Sequence, residues 1–318
     1  MRQALRMRNS TPLPAPLDGG PFAVAAAIDL GIGRGRLRAA DLVIPFRGTR
    51  APSAETPTVA MLAASYASLM PPHQLFSHWT AAVLLGLRLP EGSSWRQGAR
   101  SGLDVAANAP HRAPRRHAPR RHGIRGHEIQ PSVRIWTIQT GMRVTSPVDT
   151  WIQLTSQMSV DDLMVMGDGL VGRNSPRATL PEPVAALELS ANRPVIARLR
   201  EALVWIRARS DSARETMLRL VIVRGGLPEP KVNAVIRNSF GARIGRGDLV
   251  YAKARVLVEY DGTGHWDNDR QFAVDIRRLN EFMEEGWQVI RVDKALLAQT
   301  ATLLGKVRTA LEQSGWTP

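Results

Sequence analysis

Apolar residues in the last third of this chain come in short blocks whose spacing changes from helical to strand-like and back. Residues 212–224 carry apolar positions at helical spacing behind Asp211-Ser212, a natural cap. Short apolar runs then predict strands over 231–238, 247–252 and 255–261. Helical spacing returns over 268–285, a strand over 287–293, and a final helix over 294–314. The sharpest signal is a hairpin. Leu249-Val250-Tyr251 and Val256-Leu257-Val258 flank Ala252-Lys253-Ala254-Arg255, and Gly241 and Gly245 punctuate the hairpin before it. The order is α-β-β-β-α-β with a terminal helix, and helices are expected on both faces of the sheet.

The earlier part reads differently. Residues 1–20 predict a disordered tail rich in Arg and Pro, without the apolar h-region of a signal peptide. In residues 21–52, Phe22, Val24-Ala25, Ile28 and Leu30 predict a short helix that stops at Gly31. A second short helix is expected from Gly33 to Ala40, then a strand at Leu42–Phe46 and a basic turn at Arg47–Arg50. Helix, Arg-bearing helix and basic hairpin is the order of a winged helix-turn-helix, which places Arg34, Arg36 and Arg38 where such folds meet the major groove. A purely structural wing is the alternative. Residues 53–209 form a mixed middle domain. In it Ser77 opens a helix that ends near Gly86, and Ser159 caps another that runs to about Val171. Residues 172–183 are a loop, and 184–209 return to helical spacing. The adjacent Ser77 and His78 read as a helix start, not as a nucleophile and its base. Residues 210–318 are the last domain, so the expected class is α+β or α/β, multidomain.

Composition narrows the function classes. No stretch approaches the roughly 20 apolar residues of a membrane helix. Cysteine is absent, which excludes disulfides and thiolate chemistry, and the cytoplasm is the expected location. The formal net charge is +14, which favours an anionic polymer as partner. That charge is uneven: residues 211–318 hold 16 Lys and Arg against 14 Asp and Glu, so the excess precedes them. Residues 111–127, HRAPRRHAPRRHGIRGH, are a low-complexity basic loop. Arg115, Arg116, Arg120 and Arg121 are candidate phosphate contacts. A solvated loop without a partner is the alternative. A histidine zinc site lacks a carboxylate or cysteine until Glu128.

The hairpin carries the candidate chemistry. With the turn centred on Lys253-Ala254, Asp248 lies opposite Glu259, and Asp261 follows on the face of Glu259. Directly opposed like charges destabilise a sheet. A hard divalent cation bound by carboxylate oxygens removes the conflict, whereas a solvated acidic face is the plainer reading. His265 follows in Gly262-Thr263-Gly264-His265.

The pattern Asp248-x(10)-Glu259-x-Asp261-Gly262-x-x-His265 resembles an uncharacterised group of bacterial proteins related to the very-short-patch-repair endonucleases, within the PD-(D/E)xK nuclease superfamily. Ser212–Leu218, Gly226–Pro230, Asp275–Leu279 and Gly286–Val292 are similar to further segments of that group. The resemblance covers the last third of the chain. It implies a restriction-endonuclease-like αβββαβ core with Mg²⁺ or Mn²⁺. Asp248 and Glu259 would be primary ligands, and Asp261 would bind a second ion or a metal-bound water. His265 would be a general base or orient the water, and Glu215 would take a secondary role. The superfamily's second motif usually ends in lysine, and Asp261 stands there instead. Ser77–Ala82 with Gly86-Leu87, and Thr145–Trp151, resemble the AbiEi-type antitoxins of abortive-infection systems, which implies a cognate toxin as a further partner. The leading expectation is metal-dependent cleavage of DNA phosphodiesters. A non-enzymatic DNA-binding regulator or antitoxin is the rival, and an RNA-binding factor stands third.

Overall fold

The computed structural model of the chain describes residues 11–53, 57–91, 102–108, 116–188, 193–262 and 269–317. The chain is mixed α+β with several sheets. It divides into two compact units, Met1–Leu87 with Gly92–Leu154, and Arg88–Glu91 with Thr155–Pro318.

The first unit opens with β1 (Phe22–Ala23), α1 (Val24–Asp29), β2 (Leu42–Val43) and β3 (Thr49–Pro52). The three strands form an antiparallel sheet in the order β1-β3-β2. Leu17, Phe22, Ala27 and Leu37 make its small core. The second helix expected over Gly33–Ala40 is a single 3₁₀ turn at Arg36–Arg38. Gly33 and Gly35 explain the shortfall, since glycine carries the largest entropy cost in a helix among residues other than proline. After α2 (Val59–Ala67) come β4 (Gln74–Phe76), α3 (His78–Leu84), β5 (Leu103–Asn108), β6 (Ile124–Ile129), β7 (Ile135–Thr137), β8 (Arg143–Thr145) and α4 (Pro147–Leu154). The five strands order as β6-β5-β4-β8-β7, with β5–β6 and β4–β8 parallel. Trp79, Ala81 and Ala82 of α3 are buried, as are Val148, Trp151 and Leu154 of α4.

Apart from Arg88–Glu91, the second unit runs from Thr155, so the sequence boundary at 209/210 falls inside it. α5 (Val160–Leu170) starts in a full capping box, Ser159 with Asp162. α6 (Pro181–Glu188), α7 (Arg193–Trp205) and α8 (Ala213–Arg224) follow. Asp168 of α5 and Arg219 of α8 form an ion pair at 3.1 Å with both side chains fully buried. Asp168 also accepts from Thr216 Oγ1 at 2.8 Å and from the Arg207 amide at 2.6 Å.

Next come β9 (Lys231–Arg237), β10 (Arg243–Tyr251), β11 (Val256–Tyr260), α9 (Asp269–Glu284), β12 (Gln288–Val292), α10 (Lys294–Ala298) and α11 (Thr300–Gln313). The sheet order is β12-β11-β10-β9, antiparallel except for parallel β11–β12. β10 starts earlier than its apolar run, because it already pairs with β9 from Arg243 on, through a register shift before Gly245. Val256, Leu257 and Val258 are all buried because both faces of the sheet are covered. Val256 and Val258 pack with Leu218, Ile222, Leu303 and Val307, while Leu257 packs with Phe282 and Leu279. Burial of each such side chain stabilises by about 1.5–3 kcal/mol. Gly247 makes room for the core: a Cβ there would lie 2.2 Å from Leu257 Cδ1 and would force that buried side chain to shift.

Candidate active site

The β10–β11 register pairs Leu249 with Val258 and Val250 with Leu257, and one step further sets Asp248 opposite Glu259. On its other side β10 pairs Gly247 with Ala234 and Leu249 with Val232, so Asn233 flanks Asp248 on β9. Asn233 has φ +47°, in the left-handed region that asparagine tolerates better than most residues. Its Nδ2 donates to Glu215 Oε2 at 2.6 Å. Asn233, Asp248 and Glu259 thus form a row across three strands, with Glu215 in the first turn of α8 bound to one end.

Each carboxylate is held differently. Glu215, 6% exposed, also accepts from the Asp211 amide at 2.9 Å, and its own amide donates to the cap Ser212 at 3.1 Å. Asp248 Oδ2 accepts from the Tyr260 amide at 2.9 Å, a side-chain contact at the end of the ladder. Burial pushes the Asp248 carboxyl up to about 7, and the negative charges of Glu215 and Glu259 add to the rise. The Tyr260 amide and, more weakly, Arg278 oppose it. Glu259, 7% exposed, has the Arg278 guanidinium of α9 at 3.4 Å. Asp261 pairs with Arg291 of β12 at 2.5 Å. Asp261, Arg291, Asp293 and Leu296 line an open hollow of about 330 Å³.

Glu215, Asp248 and Glu259 are therefore electrostatic neighbours, and Asp261 stands at the end of the same strand with a cation of its own. His265 and the side chain of Asp275 lie outside the described residues. Among the described residues, no three His, Asp or Glu side chains stand together in metal-holding geometry. The donor chemistry still fits a hard cation, since Asp248 carries a raised carboxyl between two other acids, and a bound divalent ion relieves that excess of negative charge. Sequence reading missed Arg278 as the partner of Glu259, because that contact joins a helix to a strand 19 residues away.

The candidate DNA-contacting arginines separate. Arg34 and Arg38 are exposed. Arg36 donates to both Asp41 carboxylate oxygens, at 3.0 and 2.7 Å, with its side chain 14% exposed. That pairing takes it out of the row of available cations. Arg116, Arg120 and Arg121 precede β6, Arg121 exposed, whereas Arg115 lies outside the described residues.

A group absent from the sequence reading lies in the first unit. Asp104 of β5, 1% exposed, accepts from Arg125 Nε and Nη2, both at 2.9 Å, and from His127 Nε2 at 2.9 Å. The His127 ring stacks on His78 with centroids 3.8 Å apart. His78 Nδ1 lies 3.0 Å from Ser77 Oγ. Ser77 is fully buried, which removes it as a nucleophile and makes it a group that orients the ring. The legible signal was Asp104 itself, a lone acid in the apolar run Leu103-Asp104-Val105-Ala106.

Among the described residues, no helix is long and apolar enough to cross a membrane. Two uncharacterized proteins of Mycobacterium tuberculosis, one from each of two strains, are similar to this chain. Each is 25% identical over 153 residues, covering 48% of this chain and 55% of the relative. The chain spans about half the length of these curated relatives. No family model and no solved structure matches it.

Proposed function

We propose that the chain is a divalent-metal-dependent DNA endonuclease with a PD-(D/E)xK-like second unit, in which Asp248 and Glu259 hold Mg²⁺ or Mn²⁺. The observation that carries this reading is the buried Asp248, raised to about 7 beside Glu215 and Glu259 at the end of the hairpin. The element order from α8 to β12 supports it, as does the mixed sheet with helices on both faces. When bound, such an ion activates water and offsets charge on the phosphate as the ester bond breaks. Glu215 fixes Asn233 and so braces the row beside Asp248. Arg278 supplies positive charge next to Glu259, where the usual motif lysine is missing. DNA is engaged by the basic first unit, with Arg34, Arg38, Arg116, Arg120 and Arg121 as contacts, and Arg115 and His265 keep the roles that the family resemblance and the basic loop give them.

A second reading has its own support. Glu259 and Asp261 each already face an arginine, so the acids have internal counter-ions. That suits a DNA-binding regulator or antitoxin, with a toxin as partner, whose nuclease-like unit does not cut. Supercoiled plasmid incubated with the protein in Mn²⁺ and in EDTA separates the two. The endonuclease reading expects nicking by wild type in Mn²⁺ only, and a loss of orders of magnitude in Glu259→Gln, with DNA binding retained. Wild type that binds plasmid but does not cut it in Mn²⁺ supports the regulator. Equal cutting by wild type and Glu259→Gln refutes this site.

A further inference from the structure

We propose that the β9–β10 hairpin is a DNA-gripping arm of the second unit, in which Arg237, Arg243 and Arg246 lie on backbone phosphates and Phe240 at the tip packs into a groove. The proposal rests on the reading that the chain binds duplex DNA. To the contacts of the first unit it adds a set beside the carboxylates, which neither the charge distribution nor the motifs had singled out.

The register sets Arg237 opposite Arg243 and Val235 opposite Arg246. Residues directly opposite each other, and residues two apart on one strand, share a face of a sheet. One face of the arm therefore carries three arginines around Val235. The other face is closed. Ile236 is buried with Phe282 of α9, and a Cβ on its partner Gly245 would lie 3.0 Å from the Phe282 ring. On the open face Val235, Arg237 and Arg243 are exposed and Arg246 is half-buried. Directly opposed like charges destabilise a strand pair. Among the described residues neither Arg243 nor Arg246 has a hydrogen-bond or ion-pair partner, and the Arg246 Nε is buried without one. Arg237 uses Nη1 on the Gly241 carbonyl oxygen at 2.9 Å and has no carboxylate partner among the described residues. Three guanidinium groups without a counter-ion on one face call for negative charge from outside, and their spread along two strands fits a polyanion.

The backbone of the tip is pinned, while its aromatic side chain is left in water. Asn238 Oδ1 accepts from the Phe240 and Ala242 amides at 3.1 and 2.8 Å, and Gly241 takes φ +81° to close the turn. The acid that reaches the arm is Glu285, just past α9. Its carboxylate accepts from the Ser239 amide at 3.0 Å, so it holds the turn. Phe240 is nevertheless 92% exposed. A lone exposed apolar side chain means little by itself. This one stands on a fixed turn at the end of the arginine face. A two-stranded ribbon fits the major groove, where a phenyl ring meets thymine methyl groups. The arm also continues from the candidate site, since Arg246 is two residues from Asp248 on β10. Strand rise puts the turn roughly 20 Å from Asp248, so a duplex lying over the carboxylates runs on along the arm.

The test uses the full chain and a fluorescein-labelled duplex of random sequence in EDTA, read by anisotropy across a salt series. Arg243→Gln and Arg246→Gln should each lower the slope of log affinity against log salt by about one, and the double variant by about two. Phe240→Ala changes no charge. It should weaken binding by about 5-fold or more, the size expected for burying a phenyl ring, while the slope keeps its wild-type value. Thermal melts verify that each variant folds. If Arg246→Gln does not fold, Arg243→Gln at the exposed position decides. Wild type that binds duplex while Arg243→Gln keeps its slope, or while Phe240→Ala keeps its affinity, overturns the arm and leaves DNA binding standing. An acidic protein as the partner of this face would give that result. Wild type that does not bind duplex overturns both.

Discussion

Asp248 and His78 carry opposite pH signatures, and each follows from what surrounds the group. The Asp248 carboxyl is raised by burial and by Glu215, to about 7 against 3.8 for a free aspartate. Its stabilising contribution is present below about 3.8 and is lost as pH rises through 7. Asp248→Asn should therefore raise the melting temperature of metal-free protein more at pH 8 than at pH 5, reflecting on the order of 1–4 kcal/mol. A variant that melts identically to wild type at both pH values removes the burden assigned to this carboxylate. The His78 imidazole is pushed down to about 4, first by burial and then by His127, against the pull of Asp104. Here the contribution is present above about 6.5 and is lost as pH falls through 4. His78→Gln should flatten the decline in urea stability between pH 6.5 and 4, and an unchanged decline assigns the acid sensitivity elsewhere.

At the level of elements, legibility followed the range of the contacts. Val256-Leu257-Val258 was readable as a strand because a continuous apolar run has few other uses when flanked by turns. Ser159 was readable as a cap because its partner Asp162 is three residues away. The helix expected over Gly33–Ala40 shrank to one turn because glycine at 33 and 35 disfavours a longer helix there. Arg278 against Glu259 and Arg125 against Asp104 were invisible, since nothing local in either strand or helix names a partner across the fold. The same holds for Asp168, one of several acids in α5, whose partner Arg219 is 51 residues on. Removing it leaves the buried Arg219 guanidinium with the longer, 3.5 Å contact to the partly exposed Glu229, so Asp168→Ala should cost about 3 kcal/mol by urea denaturation. A loss below about 1 kcal/mol contradicts a buried charge at Arg219.

Across the whole molecule, the excess of positive charge lies before Thr155, where the main segment of the second unit starts. Residues 1–154 hold 19 Lys and Arg against 8 Asp and Glu, whereas residues 155–318 hold 23 against 20. A fragment of residues 155–318 keeps Asp168 with Arg219 and should melt cooperatively, whereas one starting at 211 strips that partner and should not. The 155–318 fragment should bind duplex DNA more weakly than the full chain, with a shallower salt dependence. Equal affinity and slope contradict the assignment of DNA engagement to the first unit. Whether the acids of the β10–β11 hairpin hold a divalent ion is read by calorimetric titration with Mn²⁺. At pH 6.5 a cation entering beside a carboxyl raised to about 7 displaces its proton. Mn²⁺ should bind with a heat that varies with the ionisation enthalpy of the buffer, and this binding should disappear in Asp248→Asn. No binding at millimolar Mn²⁺, or binding unchanged in Asp248→Asn, contradicts a divalent ion held by these acids.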